Sequence, residues 1–334
     1  MSKKVIIAVD AMGGEGSPKK IIEAIKLSVR SNKNNFFNLF GDSDLISKEV
    51  EKNQSIKEYI KVFDTKDFIN DDESPLNAAK KGKETSMWKA IESQKNGISD
   101  ISLSAGNTGA LLVISRLILN TIEGIPKPAL AGLWPNQNGM NVVLDLGANI
   151  ECNEKNLLDF ATMGSVLSKL LFDKDKPKVA LLNIGLEENK GNEVIKKTYQ
   201  ILKSKNTNDF NFSGYIEGNH IMDGNVDVII TDGFTGNIAL KTAEGTANFI
   251  TKNLKNSLNS LSKLFSYRSL KKFKEKLDPR KYNGAIFLGL QSPVVKSHGS
   301  TDAVGFAHSI EMCNKIVNGD LVEKIKSHLI FVDA

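Results

Sequence analysis

The sequence predicts an α/β protein in which a sheet carries helices on both faces. Three observations carry that expectation. Short apolar runs alternate with helix-compatible segments along the chain. A strand–turn–helix device occurs twice without a gap, DISLSAGNTG at 100–109 and DVIITDGFTG at 227–236. Finally, several strands end in one vocabulary of Gly, Asn, Thr, Ser and Asp, at 10–14, 104–109, 145–149, 183–185, 232–237 and 296–300. Ligands of open α/β sheets bind beyond the carboxyl ends of the strands, so these ends define the expected site.

Taken in order, 5–9 reads as a strand closed by Asp10-Ala-Met-Gly-Gly. Pro18 opens a helix to about Val29, as proline in a first turn allows. Strands follow at 36–40 and 60–63, with a helix at 45–52 between them. An acidic loop at 70–75 precedes a helical stretch, 76–95, broken near Gly82. The first copy of the repeated device comes next. Residues 122–128 are a Gly- and Pro-rich connector between it and strands at 129–134 and 142–146. A long apolar helix is expected at 157–172, buried or at an interface, then a strand at 179–184 and a helix at 193–203. The second copy of the device has its strand at 226–231. A helical stretch is expected from Ile238 to about Leu277, then strands at 285–288 and 294–296 and a helix to about Val317. No Ser/Gly/Pro linker divides the 334 residues, so one domain is expected over 1–334.

Composition narrows the function. Charged residues make up 25% and hydrophobic ones 40%, which is ordinary for a soluble globular protein. Cys152 and Cys313 stand far apart with no CxxC, which argues against a disulfide framework or a zinc site and fits a reducing cytoplasm. The apolar run near the start is too short for a signal-peptide core or a membrane span. Net charge is +5, but residues 252–281 hold ten Lys and Arg against Glu275 and Asp278, a net +8. The basic signal belongs to one element, not to a nucleic-acid-binding surface spread over the chain.

That element, 249–281, is amphipathic and reads as a helical hairpin. Leu254, Leu258, Leu261 and Phe265 recur at helical spacing among lysines, and Leu264, Phe265 and Tyr267 cluster where a hairpin would turn. Contact with an anionic membrane, docking of an acidic protein, and an ordinary helix with its apolar face in the core all fit this pattern.

P-loop, GxGxxG, HExxH, GxSxG and EF-hand patterns are absent. The Gly-x-Thr-Gly turns lead straight into helices, and a helix N-terminus suits an anion. The two turns are expected to face one phosphate-sized ligand across a crevice, or to be ordinary tight βα turns. His298 sits between Ser297 and Gly299, two residues after Lys296 and two before Ser300. Lys296 and His298 suit phosphate binding or polarisation of a carbonyl oxygen; a capping turn with an exposed imidazole is the plainer reading. Lys190 lies in a polar loop between a strand and a helix, at an anion site or solvated. Asp145 and Asp232 follow apolar strands, either positioning a Lys or His or capping a helix.

Together these stretches resemble a known family. VDAMGG (9–14), SAGNTGALL (104–112), LDLGAN (144–149), FATMGS (160–165), LLNIG (181–185) with KGNE (190–193), TDGFTGNIALKTAEG (231–245), GAIFLGL (284–290) and VVKSHGSTDA (294–303) are similar, in order, to the bacterial acyl carrier protein:phosphate acyltransferases, the PlsX family. One stretch departs: Glu15-Gly16-Ser17 stands where the family commonly has Asp-His-Ala. The resemblance implies a three-layer α/β/α sandwich related to the isocitrate and isopropylmalate dehydrogenases and to phosphotransacetylase. It implies a homodimer, no cofactor and no metal, in the cytoplasm and peripherally bound to the inner face of the membrane. It also implies the reaction, transfer of a long-chain acyl group from acyl carrier protein to inorganic phosphate, whose acyl phosphate feeds a glycerol-3-phosphate acyltransferase.

That chemistry needs phosphate held against a thioester and an oxyanion stabilised, with no Ser or Cys nucleophile. The expected phosphate set is Asn107, Thr108, Gly109, Asp232, Thr235, Asn237 and Ser300, with Lys190. Lys296 or His298 stabilises the oxyanion or protonates the leaving thiol. Asp10, Asp145 and Asn149 support them. A phosphotransacetylase-like enzyme using acyl-CoA and a non-enzymatic basic membrane scaffold are the alternatives. A dehydrogenase would need a nicotinamide site and a carboxylate metal cluster, and neither motif is present.

Overall fold

The computed structural model describes residues 3–204, 207–257, 280 and 283–329. Its centre is an 11-stranded sheet. The first half of the chain supplies β1 (Val5–Asp10), α1 (Lys19–Ser31), β2 (Asn35–Gly41), α2 (Ser43–Glu51), β3 (Ile60–Asp64), α3 (Pro75–Lys81), α4 (Ser86–Lys95), β4 (Ile101–Ser104) and α5 (Thr108–Leu119). The middle supplies β5 (Ala129–Pro135), β6 (Met140–Leu144), α6 (Glu154–Phe172), β7 (Lys178–Leu182), α7 (Glu193–Ser204), β8 (Asn211–Ile216), β9 (Val228–Ile230) and α8 (Gly233–Ser257). The last part supplies β10 (Ala285–Leu288), β11 (Val294–Lys296), α9 (Ala303–Asn318) and α10 (Leu321–His328).

The strand order is β3-β2-β1-β4-β11-β10-β5-β6-β9-β7-β8. From β3 to β11 all neighbours are parallel, as they are from β6 to β8. The three pairings between these blocks, β11 with β10, β10 with β5 and β5 with β6, are antiparallel. An odd number of reversals separates the blocks, so their strands run in opposite directions. Carboxyl ends of β1, β4 and β11 therefore lie at one edge of the sheet, and those of β6, β7 and β9 at the other. Strands such as β4 and β9 are buried along their whole length, as parallel strands covered on both faces must be.

Helices α1, α2, α6, α7, α9 and α10 pack on one face around Ile21, Ile25, Phe160, Phe306 and Ile310. Helices α3, α4, α5 and α8 pack on the other, around Met87, Ile91, Leu111, Ile114 and Phe287. The expected three layers are thus present. Helix α6 is buried from Asn156 to Ser168, which settles its apolar character as core.

The two aligned aspartates prove to be braces. Asp100 accepts the Ile6 amide at 2.8 Å, and Asp227 accepts the Lys178 amide at 2.8 Å. Each carboxylate fixes the start of its strand against a neighbouring strand. Beyond the strands the copies diverge: the first helix begins at Thr108, the second at the earlier, aligned Gly233. The start expected at Ile238 is corrected accordingly. Asp232 caps α8 by accepting the Thr235 amide and hydroxyl, both at 2.8 Å. Strands expected to reach Leu146 and Ile184 end at Leu144 and Leu182, because the turns start there.

Of the basic element at 249–281, the structure describes the last turns of α8 and Arg280. Phe249, Ile250 and Leu254 there are exposed. Leu261, Leu264, Phe265 and Tyr267 lie outside the described residues. Among the described residues no helix is long and apolar enough to cross a membrane.

Candidate active site

The edge formed by β1, β4 and β11 gathers the strongest chemistry. Asp10, at the end of β1, is buried and accepts hydrogen bonds from Ser86 Oγ at 2.6 Å and Ser104 Oγ at 2.7 Å. It ties α4 and β4 to the 10–14 turn. Burial pushes its carboxyl up from the ordinary value, and these hydroxyl bonds oppose the shift. Asp10 thus braces this edge of the sheet.

Lys296 closes β11, and only 9% of it is exposed. Its Nζ donates to Ala105 O at 3.4 Å and also to Ser297 O. Desolvation lowers its pKa to about 8. A buried ammonium that gives up its proton near neutrality can act as cation or as acid. His298 stands on the rim. Its backbone amide is fixed by Asn283 Oδ1 at 2.9 Å, and Asn283 also donates to Ser297 Oγ at 2.8 Å. The Ser300 amide donates to His298 Nδ1 at 3.3 Å, and Ser300 Oγ lies 3.1 Å from the same nitrogen. In the neutral ring Nε2 then carries the proton. Partial desolvation and then the Lys296 charge hold its pKa below the ordinary value. Ser300 is a partner of His298 in this geometry.

Gly14 joins this edge together. Its φ is +78°, and a Cβ there would meet Gly299 O at 2.9 Å and Ala105 O at 3.0 Å. The Glu15 amide donates to Gly299 O at 3.0 Å, tying the β1 turn to the β11 turn. Thr108 is exposed in the first turn of α5, and Gly109 packs against Pro75 of α3. Asn107 uses both ends of its amide. Its Oδ1 caps α5 through the Ala110 amide at 3.0 Å, and its Nδ2 donates to Asp71 O and Glu73 O, each at 2.9 Å. It clamps the acidic loop and leaves Thr108 as the nearer side chain for an anion.

At the opposite edge, Asp145 is fully buried and accepts five bonds. They come from the Leu130, Gly147, Ala148 and Asn149 amides and from Asn149 Nδ2, at 2.7–3.1 Å. Burial still raises its pKa. Asn149 also donates to Pro128 O at 2.8 Å. Gly236 must be glycine, since a Cβ there would lie 1.9 Å from Asp145 O. Asn237 donates to Leu146 O at 3.2 Å. Lys190 is exposed in the loop after β7, where Asn183 Nδ2 holds its carbonyl at 3.2 Å. Ile150, Ile184, Leu186, Phe234 and Ile238 are exposed on the segments that leave this edge.

One expectation is therefore corrected. The two Gly-x-Thr-Gly turns do not face one ligand within a chain, because β4 and β9 run in opposite directions. Asn107, Thr108, Lys296, His298 and Ser300 share one edge; Asp232, Thr235, Asn237 and Lys190 share the other. Helix α8 spans the distance between them. Charges on its Lys241 and Glu244 reach His298.

Neither cysteine is an activated nucleophile. Burial and then the Asp145 charge push the Cys152 thiol up to about 12, and burial pushes Cys313 up as well. Among the described residues no group of three His, Cys, Asp or Glu could hold a metal. Sequence reasoning missed Lys20, Asp71, Ser86 and Asn283. Lys20 carried a signal: it lies four residues before Ala24, on the apolar side of α1.

The family model described as "Fatty acid synthesis protein" matches residues 5–324. A phosphate acyltransferase of Pelagibacter ubique is 59% identical over 98% of this chain and 100% of its own length. A phosphate acyltransferase of Afipia carboxidovorans is 42% identical over 97% of this chain and 94% of its own. Among solved structures, a phosphotransacetylase from Streptococcus pyogenes superposes with a TM-score of 0.63 at 16% identity, covering 96% of this chain and 94% of that one. The EutD phosphotransacetylase from Staphylococcus aureus gives 0.60 at 15% identity, covering 95% and 94%. At such identities these two likenesses carry the fold alone.

Proposed function

We propose, because this chain belongs to the fatty acid synthesis protein family and is an acyltransferase, that it moves a long-chain acyl group from acyl carrier protein to inorganic phosphate. The product is acyl phosphate, used in phospholipid synthesis by a glycerol-3-phosphate acyltransferase. The enzyme acts as a homodimer in the cytoplasm, held peripherally at the inner face of the membrane through the basic 249–281 segment. Similarity to phosphate acyltransferases over nearly the whole chain supports acyl transfer to phosphate and sets aside the non-enzymatic scaffold.

The observation that carries the mechanism is the buried Lys296 at the turn-lined edge. A phosphate oxygen attacks the thioester carbonyl carbon. The tetrahedral oxyanion forms beside Lys296 and His298, whose N–H groups stabilise it. Collapse breaks the C–S bond and expels the carrier thiolate. Lys296 or His298 protonates the sulfur, and the proton of hydrogenphosphate makes good that loss, so acyl phosphate and free thiol balance the reaction. No protein nucleophile is required, which agrees with the state of both cysteines. Thr108, Ser300 and the amides of the 10–14 and 105–109 turns hold phosphate. The rim of Asp232, Thr235, Asn237 and Lys190 belongs to the other edge, where its exposed apolar neighbours suit the acyl donor.

The test is a deacylation assay of palmitoyl-acyl carrier protein with and without phosphate, following acyl phosphate and free carrier. Phosphate-dependent formation of both is expected. Turnover with acyl-CoA but not with the carrier would favour the phosphotransacetylase-like alternative. Lys296→Met and His298→Ala are expected to lower kcat by roughly 10²-fold for whichever group protonates the thiol. Unchanged turnover removes that residue from the mechanism.

A further inference from the structure

Helix α1 opens with two lysines of opposite fate. Lys19 faces solvent, whereas Lys20 is 7% exposed and reaches across to the β11 turn, where its Nζ donates to Gly299 O at 2.6 Å. Lys296 is equally buried and donates to Ala105 O and Ser297 O. The carbonyls of Gly299 and Ala105 both crowd Gly14, so the two ammoniums are anchored on either side of one turn. An ammonium has three donors. Backbone carbonyls take one from Lys20 and two from Lys296 among the described residues, leaving donors from both.

Two like charges buried together are costly unless an anion joins them. The charged groups that act on the pair are Asp71, which draws on both, Glu15, which draws on Lys20, and Asp10, which draws on Lys296. Among the described residues none of these carboxylates makes a contact ion pair with either lysine. Asp10 is already engaged by Ser86 and Ser104. Asp71 sits on the loop whose backbone Asn107 clamps. Burial lowers the pKa of each lysine, and the Lys20 charge lowers that of Lys296 further, consistent with a site that gains from a dianion.

We propose that Lys20 is a substrate-binding residue that clamps the phosphoryl group jointly with Lys296, and that Asp71 competes with phosphate for the pair. The inference rests on the reading of this chain as an enzyme that uses phosphate as acyl acceptor.

The experiment compares wild type, Lys20→Met, Lys20→Arg and Asp71→Asn in the deacylation assay, with phosphate varied at saturating acyl donor. Thermal unfolding in inorganic phosphate is followed alongside. Lys20→Met is expected to raise KM for phosphate about tenfold or more, the scale of a lost charged hydrogen bond, with a smaller change in kcat. Lys20→Arg recovers part of the loss, and Asp71→Asn lowers KM for phosphate. A folded Lys20→Met with unchanged KM overturns the proposal. If that variant does not fold, an unaltered or raised KM in Asp71→Asn overturns it instead. A wild type that is stabilised by phosphate but does not turn over, beside an unstabilised Lys20→Met, keeps the clamp and rejects the acyl-acceptor reading.

Discussion

Lys296 is held in two opposing ways: carbonyl oxygens solvate its ammonium while burial strips it of water. Burial dominates and, against the pull of Asp71, sets its pKa near 8, well under the ordinary 10.5. Between those values the unfolded chain binds more protons than the folded one, so this group's contribution to stability rises with pH through that window. Below about pH 8 the folded state carries the full cost of the buried charge. Urea unfolding at pH 7.5 and pH 10 should therefore show wild type gaining on Lys296→Met by roughly 2 kcal/mol at the higher pH. Equal differences at both pH values would mean that Lys296 titrates as an exposed lysine. Residues of this edge were partly legible in sequence. Lys296, His298 and Ser300 announced themselves by proximity along the chain. Lys20 did not, because the carbonyl that receives its ammonium lies 279 positions away. Asn107 was legible as a turn residue, but a cap and a ligand have the same composition, and only the geometry separates them.

Helix α8 shows how an element can take its register from one side chain. Asp232 offers both carboxylate oxygens to Thr235, and Gly236 lies too close to Asp145 O for any other residue. Asp232→Ala should cost about 1 kcal/mol, read as a lower urea midpoint, and Asp232→Asn should restore most of it. Loss of turnover without loss of stability would instead assign Asp232 to substrate. Strands buried on both faces were legible as continuous apolar runs. Strand β8, NFSGYI, was not, because it is an edge strand with only Tyr215 and Ile216 buried and with Gly214 at φ +85°. Helix α10 was missed for a similar reason: eight residues bury only Leu321 and Ile325.

On the scale of the whole molecule, strand direction decides which predicted residues meet. Periodicity reports which segments are strands, but direction is a pairing property of distant segments, so the reversal through β10 and β5 left no local trace. Its consequence is measurable by hydrogen exchange. Inorganic phosphate should protect amides at 11–15, 105–109 and 297–300 and leave 146–149 and 233–237 unchanged; the reverse pattern would move the acceptor site to the other edge. The same topology bears on the order in which the protein comes into being. Strand β11 lies between β4 and β10, and it brings Lys296 to a partner 191 residues earlier in the chain. A growing polypeptide can form β1 to β4 on the ribosome, but that nascent block lacks Lys296 and presents β4 as a bare edge. On the proposed mechanism the last strand among the described residues seals the sheet and arms the chemistry in one event, so a chain terminated before it should be inert towards its substrates as well as unfinished.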